Sequence, residues 1–142
     1  MTDICARVRK PFDREDWKAI APTEPYYVCS DDGSIGNYDW GNHGLRVQTR
    51  FDASGETTAT IALSLTDLAG DVPWPYPLPY GLKPSMDGAQ AQELLGPPAR
   101  TFENPHEERS AYPYPYLSWD TPDGVRLTVF FRRGQMFGVS LQ

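Results

Sequence analysis

The chain is 142 residues long with a net charge of −6 and the residue classes of an ordinary soluble protein, enough for one domain or two intimately packed half-domains. Between Lys18 and Lys83 the only cations are Arg46 and Arg50, against Glu24, Asp31, Asp32, Asp39, Asp52, Glu56, Asp67 and Asp71; this acidic half repels nucleic-acid phosphates and suits a basic protein partner or plain solubility. No stretch approaches the roughly 18 apolar residues of a membrane span, and MTDICARVRKPFDRED lacks a secretory apolar core, so no membrane role and a cytoplasmic location are expected.

Asp13 to Ala21 reads as a short helix, capped by Asp13, with Trp17, Ile20 and Ala21 on one apolar stripe before Pro22 ends it. Tyr26 to Cys29 reads as a strand, DDGS as a turn, and Ile35 to Trp40 as a second strand closing in GNHG. From Gly44, Leu45, Val47, Thr49 and Phe51 alternate with Arg46, Gln48, Arg50 and Asp52, the pattern of a half-buried strand. After the turn DASGE, Ala59, Ile61, Leu63 and Leu65 are expected inward against Thr58, Thr60, Ala62 and Ser64, completing an antiparallel pair.

Prolines at nearly every second position from Asp71 to Pro84 remove ladder donors and favour an extended connection, whose Trp74, Tyr76, Leu78 and Tyr80 read as packing onto their own protein. Asp87 to Leu95 is the second predicted helix, with a capping box from Asp87 to Gln90 and Gly96 as its stop. Arg100 to Pro113 reads as a polar loop. Strands follow at Tyr114 to Asp120, Val125 to Arg132 and Gln135 to Leu141, the last two joined by a tight Arg133-Gly134 reversal.

GLRVQTRF (44–51) and GVRLTVFF (124–131) match position for position eighty residues apart, and Ile61 and Leu63 then correspond to Val139 and Leu141. The pattern predicts a duplicated half-fold. Gly81-Leu82-Lys83, the helix carrying Leu94-Leu95-Gly96-Pro97, Trp119 and the hairpin around Gly134 resemble the small α/β repeat of beta-lactamase-inhibitor-like proteins, a pattern shared with many bacterial immunity proteins. The resemblance implies an α+β fold of two repeated helix-plus-antiparallel-sheet units, helices on one sheet face, with one continuous sheet left open as an arrangement. The expected division is a first repeat at 13–65, a Pro/aromatic linker at 66–80 and a second repeat at 81–142, forming a single domain. The resemblance also implies a non-enzymatic inhibitor, an immunity protein or antitoxin that binds a basic toxin or enzyme and occludes its active site; a small-molecule-sensing or assembly module is the alternative.

Strand phase places Leu117 and Trp119 inward with Val125, Leu127, Val129 and Phe131. The expected outward row is then Tyr114, Tyr116, Arg126, Thr128, Phe130, Arg132 and Met136, residue types enriched in protein interfaces. The competing expectation is that the linker or the first half covers this row as core. Asp31, Asp32 and Asp39 are the acidic candidates for a cationic partner, although DDGS also reads simply as a turn. Cys5 and Cys29 are too few and too far apart for a structural disulfide framework or a zinc site, and no metal or cofactor is expected. His43 and His106 have no triad or metal spacing, and there is no nucleophile elbow or phosphate loop, so no catalytic residue is assigned.

Overall fold

The alternation at 45–50 folds as its pattern dictates: in the computed structural model, which describes residues 4–66, 71–110 and 112–142, Leu45, Val47 and Thr49 are buried while Arg46 and Arg50 are exposed, and the expected inward Phe51 is instead exposed. Around that strand the chain runs α1 (Arg14–Lys18), β1 (Tyr26–Cys29), β2 (Ile35–Trp40), β3 (Leu45–Asp52), β4 (Gly55–Ser64), α2 (Gly88–Leu95), β5 (Arg100–Phe102), β6 (Tyr116–Asp120), β7 (Arg126–Arg132) and β8 (Gln135–Leu141). All eight strands form one antiparallel sheet in the order β1-β2-β3-β4-β8-β7-β6-β5.

This corrects the expected fold class. The protein is not two repeated helix-plus-sheet units; among the described residues it is mostly one eight-stranded antiparallel sheet with two short α-helices. The physical reason lies in helix length, since α1 has 5 residues and α2 has 8, and helices so short contribute few apolar side chains each. Trp17 is the buried residue of α1 and Ala91 that of α2. The segments around them do most of the covering: Ile4, Val8, Ile20, Trp74, Leu78 and Leu82 join Leu45, Ile61, Leu127 and Leu141 in a single core cluster. The strand ends that match in the sequence pair with each other at the sheet centre, Ile61 opposite Leu141 and Leu63 opposite Val139.

Two bulges change which side chains face that core. Between β3 and β4 the register shifts so that Gln48 opposes Thr60 while Thr49 opposes Thr58, leaving Ala59 as the extra residue. Thr58 is therefore buried at 1% exposure, and the expected inward Ala59 and outward Thr58 are both corrected. Between β7 and β8, Phe130 opposes Gly138 while Phe131 opposes Met136, so Phe137 is the extra residue. Met136 turns inward and is 1% exposed, which overturns its place in the outward row.

Local signals set the remaining geometry. The predicted capping box of α2 forms, with the Gln90 amide donating to Asp87 Oδ1 at 2.9 Å and the Asp87 amide donating to Gln90 Oε1 at 2.9 Å. Arg133 and Gly134 both take positive φ, 52° and 80°, as a two-residue primed turn between β7 and β8 requires. A side chain on Gly44 would collide with the backbone of Val72 and Trp74, which fixes the linker against the sheet there. The predicted loop after α2 begins instead with β5, where Thr101 pairs with Leu117 and Phe102 with Tyr116. Of the acidic residues between Lys18 and Lys83, Asp67 lies outside the described residues.

Candidate functional site on the open sheet face

Antiparallel pairing sets Phe102, Tyr116 and Phe130 opposite one another on β5, β6 and β7, on the face away from the core. The bulge adds Phe137 to them. The rings form a continuous run: Phe102 stacks on Tyr116 at 5.8 Å, Tyr116 meets Phe130 at 6.1 Å, and Phe130 meets Phe137 at 6.4 Å. Tyr114 then packs edge-on against Phe137 at 4.4 Å and Tyr112 against Tyr114 at 5.9 Å. Gly138 opposite Phe130 carries no side chain, so β8 leaves the rings uncovered at that point. Phe102, Tyr114, Tyr116, Phe130 and Phe137 are half-buried, and Tyr112 is 75% exposed. Ring pairs of this kind contribute about 0.5–1.5 kcal/mol beyond their buried area, so the cluster is held in place before anything binds it.

Among the described residues of the linker, the large side chains pack elsewhere than on these rings. Trp74 and Leu78 of the linker are buried in the core cluster, and the Tyr76 hydroxyl donates to the Ile20 carbonyl at 3.4 Å. Cations border the aromatic run. Arg100 forks onto Asp120 at 3.1 and 2.9 Å, and Arg126 reaches the same carboxylate at 3.5 Å. The Arg100 hydrogen bonds hold the Asp120 carboxyl below the usual carboxylate range. Arg132, half-buried at the end of β7, makes no ion pair among the described residues.

The β1–β4 end of the same face carries a network of polar side chains beside the exposed Tyr26 and Val28, with Asp39 Oδ1 buried and without a hydrogen-bond partner among the described residues. Arg46 forks onto Asp71 with two 2.8 Å bonds and reaches Asp39 at 3.2 Å. Ser64 Oγ donates to Asp71 at 2.8 Å, and Asn37 accepts from Gln48 at 3.3 Å. Asp39 is therefore occupied by a cation of its own chain. Beside it lies a shallow depression of about 370 Å³, lined by Tyr26, Val28, Asn37, Asp39, Arg46 and Gln48 among others.

Of the sequence-predicted site residues, the structure gathers Tyr114, Tyr116 and Phe130, with Arg126 and Arg132 on the flanks. Met136 is excluded by its burial. Asp31 and Asp32 lie in the β1–β2 turn, at the opposite edge of the sheet from β5 to β7. Asp32 accepts from the Ser34 hydroxyl at 2.6 Å, the Ser34 amide at 3.0 Å and the Ser30 hydroxyl at 2.8 Å. Those bonds, Ser34 first, lower its carboxyl pKa to about 2 and make it a turn-forming residue. Sequence pattern does not find Phe102 and Phe137. The only sequence signal for Phe137 is its place before Gly138 in a strand of changing phase; Phe102 sits in a stretch too short and polar to announce a strand.

Among the described residues, no group of three or more His, Cys, Asp or Glu side chains is arranged to hold a metal ion. No helix among them is long and apolar enough to cross a membrane. No family model and no curated protein sequence matches the chain. In structure it is similar to a DUF4309 family protein, YjgB of Bacillus subtilis, with a TM-score of 0.48 and 16% identity, over 91% of this chain and 76% of that one.

Proposed function

We propose that the protein is a non-enzymatic protein-binding inhibitor, of the immunity-protein or antitoxin type that its helix and hairpin motifs resemble. The observation that carries the reading is the uncovered run of rings on the open sheet face. Tyr114, Tyr116, Phe130 and Phe137 form a rigid amphipathic platform, and aromatic residues flanked by arginine are the composition of binding hot spots. The partner is a basic toxin or enzyme. It is drawn by the overall charge of −6 and blocked sterically when the platform closes over its active site. Asp31 and the ionised Asp32 act at a distance, through the field, and not in the contact itself.

The test is affinity capture from the native cell with two baits, the unaltered protein and the Phe130→Ala/Phe137→Ala variant. A stoichiometric basic enzyme held by the first bait, released by the second, and inhibited by added protein would bear the reading out. Equal capture by both baits would remove the platform. A metabolite copurifying in place of a protein would favour the second reading, a small-molecule-sensing or assembly module using the depression beside Asp39.

A further inference from the structure

Two backbone bonds fix which groups the edge strand β1 leaves free. The Ser30 amide donates to the Ile35 carbonyl at 2.8 Å and the Phe51 amide to the Ser34 carbonyl at 2.9 Å, so the odd-numbered residues of β2 bond to β1 and the even-numbered ones to β3. In β1 this engages the backbone groups of Tyr26 and Val28 with β2 and aims the N–H and C=O of Tyr27 and Cys29 out of the sheet, where they meet no partner among the described residues. Every residue of β1 is exposed, and none is charged or a proline. Tyr26 and Val28 stand on the open face, while Tyr27 and Phe51 flank Gly36 on the other, so large exposed hydrophobic side chains gather at this edge. The opposite edge is blunted, since β5 has 3 residues and begins with Arg100, bound to Asp120.

Charge narrows what can pair there. From residue 19 to residue 45 the chain carries Glu24, Asp31, Asp32 and Asp39 and no lysine or arginine. Glu24 precedes β1, and Asp31 and Asp32 follow it, so the strand is acidic at both ends. Asp31 has no hydrogen bond or ion pair among the described residues. From this arrangement we infer that β1 takes up an extended segment of another protein, basic at both ends, as a ninth, antiparallel strand. The open N–H and C=O groups supply the ladder bonds, Tyr26 and Val28 a surface for an apolar side chain, and the flanking carboxylates the selection for lysine or arginine. A second copy of the chain is the disfavoured occupant. Antiparallel pairing of two β1 strands about Val28 would bring the Asp31–Asp32 turn of one copy to the Glu24 end of the other, like charge against like. The site goes beyond the proposed function, because β1 and the strands of the aromatic platform lie at opposite ends of the sheet.

The experiment titrates the isotope-labelled protein with acetyl-Lys-Thr-Val-Thr-Lys-amide at constant ionic strength, reading chemical shifts and backbone amide exchange. The peptide is expected to saturate at a dissociation constant on the order of 1 mM. At about ten times that concentration the Tyr27 and Cys29 amides should exchange about tenfold more slowly, while that of Val28, already engaged with β2, stays unchanged. The same peptide methylated on the backbone nitrogens of its second and fourth residues keeps its charge and side chains but loses the donors that face β1, and should not saturate. A peptide with glutamate in place of both lysines should not saturate either, and Asp31→Lys should weaken the basic peptide several-fold. Equal binding of the methylated peptide, protection centred outside β1, or a dimer of the protein that protects the same amides without peptide would overturn the inference. Phe130→Ala/Phe137→Ala should bind the peptide unchanged; loss of binding in that variant would move the contact to the platform and sink the ninth strand.

Discussion

At the β1–β4 end of the open sheet face Arg46, Asp39, Asp71 and Ser64 bond to one another, whereas at the β5–β8 end the rings of Tyr116, Phe130 and Phe137 pack against one another and face outward. Both ends are built from antiparallel ladders in one sheet, so backbone geometry does not separate them. What separates them is where each side chain finds its partner. Polar groups that satisfy one another gain little from a second protein and lose hydrogen bonds if it intrudes. Half-buried rings still have apolar area to remove from water, at about 25 cal/mol for each Å².

Four measurements would break or sharpen that contrast. The largest effect is expected from the bulge that assigns Phe137 to the open face. Met136→Ala should destabilise the protein by about 3 kcal/mol and Phe137→Ala by about 1 kcal/mol, measured by urea unfolding. Equal losses would mean that the phase does not switch. Next is the polar network: Arg46→Ala strands Asp71, 8% exposed, without its cation and should cost about 2 kcal/mol. That figure is below the range for a fully buried pair because the Arg46 side chain is 44% exposed. Arg126→Ala, which breaks an exposed pair with Asp120, should stay within about 0.5 kcal/mol. If both cost the same, the polar end is no more self-contained than the aromatic one.

The third effect concerns binding. Phe130→Ala should weaken the partner about tenfold, and Gln48→Ala on the polar end should leave affinity unchanged, as calorimetry or surface-based kinetics would register. The reverse pattern would transfer the site to the β1–β4 end. The smallest effect is that of pH on the β1–β2 turn. Hydrogen bonds from Ser34 and Ser30 lower the Asp32 pKa from 3.8 to about 2. A depressed carboxyl contributes stability above its unfolded value, and that contribution fades as pH falls from about 4 through 2. Asp32→Asn should lose that pH dependence, and a carboxyl titrating near 4 in the native protein would refute the turn geometry.

Legibility in the sequence follows the range of the interaction. The α2 capping box, its Gly96 stop and the Arg133-Gly134 reversal depend on residues within a few positions of one another, and all are readable. Tyr116 and Phe130 are readable as outward because strict alternation holds through β6 and the first part of β7. Met136 is not, because its direction depends on one unpaired residue, Phe137, and a bulge has no alternation of its own to betray it. β5 is hidden for a different reason: three residues, Arg-Thr-Phe, become a strand only by pairing with β6.

The sequence by itself determined the strand-forming segments other than β5, the caps and turns between them, the acidic bias of the first half and half of the outward aromatic row, since each rests on local pattern or composition. Tertiary structure alone decided that the strands share one sheet, that Thr58 and Met136 turn inward, that Phe102 and Phe137 join the rings, and that Arg46 takes up Asp39 and Asp71. Strand pairing and ion pairing bring together residues far apart in the chain, and the choice among partners is settled by the geometry of the folded sheet, not by any neighbouring residue.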